Sequence, residues 1–244
     1  MTVRALCLFL AASIGCASTP SPAPPPSAPA QPNTLTAAER AAGWRLLFDG
    51  TTTNGWRNYN ADTIGTGWQA VDGALTRAAR NTGGDIVTRE SFKNFELVIE
   101  WKLSPTGPAG NSGLFYRVQE DTGAIYWGAP EMAIVDNERH GDGRRELTSS
   151  GANHSLHPVA HRHTRPVGEW NHIRLIVNRN HVEHWLNGEK VVEYELGSDD
   201  WKARVAASKF ADKPRYGKAT DGHIGLQEHG SFVAFRNIKI RSLN

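Results

Sequence analysis

Only two cysteines occur in this chain of 244 residues, Cys7 and Cys16, and both lie close to the N-terminus. Everything downstream therefore has no disulfide, no thiol nucleophile and no Cys-ligated zinc, whatever the compartment. Long apolar runs are missing too, since beyond the N-terminus nothing approaches the ~20 residues that a membrane helix needs. No basic block is interleaved with aromatics, and 27 basic against 25 acidic residues leave a net charge of +2. That balance is a poor basis for nucleic-acid binding. Helical periodicity is equally scarce. One stretch predicts a helix, Asp199 to Ser208, with Ser198 or Asp199 as its cap and Trp201 and Val205 on its inner face.

The N-terminus is a different kind of sequence. Arg4 precedes an apolar run from Ala5 to Ile14 broken only by Ser13, and Gly15 and Cys16 follow. This reads as a secretory signal over residues 1–18, too short to span a bilayer. Small residues before Cys16 resemble a lipobox, which predicts cleavage before Cys16 and lipidation of its thiol; an ordinary signal peptide cut after Ala17 or Ser18 is the alternative. Thr19 to Asn33 hold seven prolines among Ala and Ser. Such a composition cannot bury a core and prefers extended polyproline II, so residues 19–34 are expected to form a disordered tether in an exported, periplasmic or envelope protein. The only membrane partner implied is through that lipid anchor.

About 200 residues remain, enough for one large domain. Short alternating segments follow one another: Trp44 to Phe48, Trp68 to Val71, Ala74 to Thr76, Asp85 to Thr88, Phe95 to Leu103, Asn171 to Asn178, His181 to Leu186 and Lys190 to Tyr194. Asp72-Gly73 and Asn187-Gly188 are two-residue hairpin signals. Many strands with little helix predict an all-β sandwich in which the first and last segments pair.

Two segments carry polar groups where a core strand would not. In Gly110 to Val118 (GNSGLFYRV) a period of two puts Leu114, Tyr116 and Val118 on one side and Asn111, Gly113, Phe115 and Arg117 on the other. In Glu131 to Asn137 (EMAIVDN) Met132 and Ile134 oppose Glu131, Ala133 and Val135. Ile224 and Leu226 likewise oppose Gln227 and His229. Amides and charges held on neighbouring strands suit a saccharide groove, and Tyr126 and Trp127, just before Glu131, offer aromatic faces for a pyranose ring. Asp136 reaches the same side as Glu131 only if a bulge intervenes; otherwise it caps a turn. The ten histidines divide differently. His154, His157, His161 and His163 crowd a loop with no fixed frame and are read as solvated, so no metal is assigned, although a divalent ion stays open; no organic cofactor is expected.

These two segments, with Gly168 to Asn171, His184 to Gly188, Gly225 to Gly230 and Phe235 to Ile240, together resemble the 3-keto-disaccharide hydrolase domain family over residues 44–243. The resemblance implies a jelly-roll sandwich similar to the concanavalin A-like lectins and glucanases, and a keto-sugar substrate. The family's pattern has a Gln where this chain has Ala133, which removes a side-chain amide from the expected groove. Measured against glucanases of that architecture, Glu131 is accompanied by no second acid at the alternating positions, so a paired acid and nucleophile are poorly supplied. A 3-keto sugar asks for less. Its C2 proton is acidic, so one general base can remove it, the C1 aglycone leaves, and water adds back. Glu131, Asp136 or His229 are the expected bases, and Asn111, Arg117, Lys209 or Gln227 would steady the enolate oxygen. A non-catalytic lectin-like module or an envelope interaction protein are the competing readings.

Overall fold

The computed structural model describes residues 31–77, 83–120 and 123–244. The signal segment, Cys16 and the tether up to residue 30 lie outside the described residues. In chain order the strands are β1 (Arg45–Leu46), β2 (Trp56–Asn58), β3 (Trp68–Val71), β4 (Ala74–Arg77), β5 (Ile86–Thr88), β6 (Phe95–Leu103), β7 (Asn111–Val118), β8 (Glu131–Val135), β9 (Asn171–Asn178), β10 (His181–Leu186), β11 (Glu189–Glu195), β12 (His223–Leu226) and β13 (Val233–Ser242). They form two antiparallel sheets. The larger runs β11-β10-β9-β6-β13-β4-β3 with β1 also paired to β13, and the smaller runs β2-β5-β12-β7-β8. This is an all-β, two-sheet jelly-roll sandwich.

Alternation produces the packing. Phe95, Leu97, Ile99 and Trp101 of β6 and Ile173, Leu175 and Val177 of β9 meet Leu114, Met132, Ile134, Ile224 and Leu226 of the smaller sheet in one apolar core. The opposite face of the smaller sheet holds a second, small cluster of Val87, Phe115 and Val118, covered by Ile125 and Ala129. Both expected hairpin turns have φ > 0 at both central residues, 50° and 74° at Asp72-Gly73 and 50° and 94° at Asn187-Gly188. That is the primed-turn geometry that matches strand twist.

Among the described residues two α-helices occur, where the sequence marks one. α2 (Asp199–Ala206) is capped by the Ser198 hydroxyl, which accepts from the Trp201 amide at 3.1 Å, and it buries Trp201. It ends two residues before the expected stop. α1 (Ala37–Ala41) has a complete capping box, Thr36 with Glu39, but buries nothing, so no apolar stripe marks it in the sequence.

The last residues of the expected tether are built into the fold. The Asn33 amide donates to Asn237 Oδ1 at 2.6 Å, Asn33 Oδ1 accepts from the Asn237 amide at 2.9 Å, and Asn33 Nδ2 donates to the Gly73 carbonyl at 2.8 Å. Asn237 sits at a break in the β6–β13 register with φ 52°, which frees its backbone for this exchange. Proline density concealed the anchor. We expect Asn33→Ala to lose about 1–3 kcal/mol. A fragment of residues 31–244 should melt several degrees above one of residues 35–244; equal melting temperatures would show that the exchange contributes nothing.

Candidate active site

The side of β8 that carries Glu131 is the outer face of the smaller sheet. Glu131 pairs with Phe115 of the outer cluster, whereas its neighbours Met132 and Ile134 enter the core. Its carboxyl lies back across Gly113, two residues along β7 on the same face. A methyl group on Gly113 would run into the carboxyl group and stand 2.8 Å from the Glu131 Cγ and Cδ, so glycine here is what lets the glutamate side chain lie flat on the sheet.

Around Glu131 is a cavity of about 280 Å³ lined by Asn111, Tyr126, Asp142, His154, Lys209, Gln227 and His229. Asn111 and Gln227 reach it from β7 and from the end of β12. The Asn111 amide donates to Ser231 Oγ at 2.8 Å, and the Gln227 amide donates to the Gly113 carbonyl at 3.0 Å. Asn111 Nδ2 is only loosely held, 3.4 Å from His140 Nε2 and 3.5 Å from Asp142 Oδ2. Its amide protons remain available to a ligand. Asp142 is steadied by Arg145 at 3.3 Å.

His154 arrives by a route invisible in the sequence. Residues 150–154 run along the free edge of β8: Ser150 Oγ accepts from the Val135 amide at 2.7 Å, the Ala133 amide donates to the Ala152 carbonyl at 3.0 Å, and the His154 amide donates to the Glu131 carbonyl at 2.9 Å. His154 Nδ1 then stands 3.9 Å from Glu131 Oε1, while its Nε2 is 2.9 Å from Lys209 Nζ. An ammonium can only donate, so Nε2 is the acceptor and the ring proton is on Nδ1, facing Glu131.

Electrostatics separate the groups. Burial pushes the Glu131 carboxyl up to about 8, opposed by Lys209 and reinforced by Asp85 and Asp142. Burial, with Lys209 adding to it, pushes His154 down to about 4, so its ring is neutral at neutral pH. Asp85, desolvated and next to Glu228, rises to about 6. A carboxyl that titrates near 8 beside a neutral imidazole and a lysine is poised for proton transfer.

Of the residues expected in the groove, Asn111, Tyr126, Glu131, Lys209, Gln227 and His229 meet around this cavity, and three do not. Arg117 lies elsewhere. Phe115 pairs with Gly225 and Val118 with His223, so Tyr116 and Arg117 together oppose a single residue, and Arg117 takes φ 53°. This bulge returns Val118 to the outer face beside Phe115 and turns the Arg117 side chain toward the β9–β10 turn, where Nη2 donates to the Arg179 carbonyl. The alternation across Arg117 therefore fails. Asp136 caps a turn: its Oδ1 accepts from the amides of Glu138 and Arg139 at 3.0 and 2.9 Å, and against the opposing effect of burial these bonds hold it below the usual carboxylate range. It borders a separate cavity with Trp101 and Arg139. Trp127 packs edge-on to Tyr126 under Lys213 and does not line the site. Asp142 and His154 were missed, because the former follows an irregular turn and the latter depends on pairing at the edge of β8.

A family model described as the 3-keto-alpha-glucoside-1,2-lyase-like domain matches residues 43–241. The chain belongs to this family. A Bacteroides thetaiotaomicron protein named 3-keto-disaccharide hydrolase is 36% identical to this chain over 234 residues, with 84% of this chain and 80% of that protein covered. A crystal structure of a candidate glycosyl hydrolase from Parabacteroides distasonis is 35% identical and superposes with a TM-score of 0.79 over 88% of this chain and 100% of that one. A second from the same organism is 28% identical, with a TM-score of 0.64 over 82% and 99%.

The measurable consequence of the buried carboxyl is its titration. We expect the Glu131 side-chain carbon, followed by NMR, to titrate near pH 8, and Lys209→Met to move the midpoint higher because the cation that favours the charged form is gone. A midpoint near 4.5 in both proteins would mean that Glu131 is hydrated. Gly113→Ala should cost about 1–3 kcal/mol by overpacking and displace the carboxylate.

Proposed function

We propose that this protein cleaves 3-keto-glycosides, 3-keto-disaccharides among them, by elimination and hydration, and that Glu131 is the base. The observation that carries this reading is the single carboxyl lying dry across Gly113 with its pKa near 8, faced by a neutral His154 and by Lys209. In its ionised form Glu131 takes the C2 proton of the keto sugar. Electrons from the C2–H bond form the enolate, the C1–O bond breaks as the enone forms, and the departing aglycone oxygen takes a proton from solvent, which the water adding to C1 gives back. Water then adds to C1, and Glu131, whose carboxyl proton exchanges with solvent while the enone is bound, protonates C2, so that one water is consumed in all. Lys209, Asn111 and Gln227 supply a cation and two amides for the enolate oxygen, interactions strongest when its charge develops. His154 turns Nδ1–H toward the carboxylate from 3.9 Å, beyond hydrogen-bond distance, and Tyr126 offers its ring to the sugar. The name of the Bacteroides thetaiotaomicron relative supports the keto-disaccharide substrate. The exported, lipid-anchored placement read from residues 1–18 is part of the same proposal and would put the enzyme where glycosides from outside the cell are met.

Direct hydrolysis of an unoxidised glycoside has one observation in its favour, the presence of Asp142 as a second carboxylate in the cavity. With Glu131 protonated as the acid, Asp142 would be the nucleophile or base.

Turnover in D₂O separates the two. Elimination and re-addition place deuterium at C2 of the released keto sugar, and the parent disaccharide is left uncleaved; no label at C2, or equal turnover of the parent, would establish the hydrolytic reading instead. Glu131→Gln should lower the rate by ~10²- to 10⁴-fold, with Asp136→Asn near wild type. Because the base must be ionised, kcat/KM should rise with pH and level off above about 8, and Lys209→Met should shift that rise to higher pH.

A further inference from the structure

The bulge that removes Arg117 from the Glu131 cavity delivers it to another one. A cavity of about 420 Å³ opens between α2, the end of β11 and the segment 211–220. Its apolar lining comes from Leu196, Trp201, Val205 and Tyr216. The segment lies directly against Trp201 because Gly217, at φ 66°, has no side chain to collide with the indole ring. Arg117 borders this space at 3% exposure.

The charges around it do not balance. Arg117 Nη2 donates to a carbonyl, Nε is buried with no hydrogen-bond partner, and among the described residues the guanidinium makes no ion pair. Burial lowers its pKa, and Tyr116 and Asp221 oppose that; Asp221 is exposed and does not line the cavity. An arginine stays charged in such a place, so the uncompensated cation is expensive to retain. Lys218, on the wall, also has no ion pair among the described residues. Lys202 and Lys213 are held at the surface by Asp199 and Asp212, at 3.0 and 2.9 Å. Among the described residues no carboxylate lines the cavity.

We propose that this cavity binds a small organic acid, its carboxylate taken by Arg117 and Lys218 and its apolar body lying on Leu196, Val205 and the edges of Trp201 and Tyr216. A guanidinium presents its donors in a planar fork that matches a carboxylate or a phosphate. The apolar walls select an organic body over an inorganic ion. The site is separate from the Glu131 cavity, with which it shares no lining residue, and it does not depend on the reaction assigned there.

Calorimetric titration of the whole protein with indole-3-acetate, 4-hydroxybenzoate and glucuronate, and with inorganic phosphate for comparison, tests this. We expect at least one of the three acids to bind with a Kd of about 1 mM or tighter, more tightly than phosphate, and equally well in Glu131→Gln. Arg117→Met, which keeps the apolar stem, should weaken it tenfold or more. Ala206→Trp puts a bulky ring at the cavity wall from an exposed helix position, and should do the same while leaving the melting temperature unchanged, which keeps the test decisive if Arg117→Met does not fold. Absence of saturation by about 10 mM for all three acids, phosphate binding as tight as theirs, or wild-type affinity in Ala206→Trp would overturn the proposal.

Discussion

The desolvation of one carboxyl group organises the rest of the site. Glu131 lies on the sheet because Gly113 leaves room for it, and the cover provided by residues 150–154 and by Tyr126 keeps water from it. Burying a carboxylate is unfavourable unless it is paired or protonated, and here protonation prevails. The folded-state pKa of about 8 lies above the ordinary 4.5. The fold is therefore favoured below pH 4.5, where the group is protonated in folded and unfolded chains alike, and this contribution is lost as the pH rises toward 8. The same energy that strains the fold at high pH makes the ionised group a stronger base than a hydrated glutamate.

What could be read from the amino acids depended on how local the determining interactions were. The hairpins at Asp72-Gly73 and Asn187-Gly188 and the long alternation of Phe95 to Leu103 are set within a few residues, and they stand where the pattern put them. Asn111, Gly113, Glu131 and Gln227 share a face because strands β7 and β8 keep a period of two up to Phe115. Arg117 lies two residues beyond that point, and its orientation is decided by how β12 pairs with β7. Nothing within GNSGLFYRV announces a bulge. Asp136 had two local readings, and the bonds from Glu138 and Arg139 decide for the turn.

The histidine loop shows the limit from the other side. His154 and His157 lie in a stretch without periodicity, yet neither is a solvated loop side chain. His157 is sandwiched with Tyr194 at 4.7 Å and hydrogen-bonded to Asn153, and His154 depends on bonds to β8, whose partners are about twenty residues away. Irregular segments that are held by pairing with a strand edge carry no signal of it in their own composition.

That pairing has an effect on the state of the protein in solution. β8 ends the smaller sheet, and an outermost strand with unpaired amides and carbonyls is a template for recruiting other chains. Here the Ala133 amide and carbonyl and the Val135 amide and carbonyl are taken by Ala152, Gly151 and Ser150. The peptide that carries His154 into place thus also closes the sheet against intermolecular growth, and loosening it would bring self-association together with loss of the site.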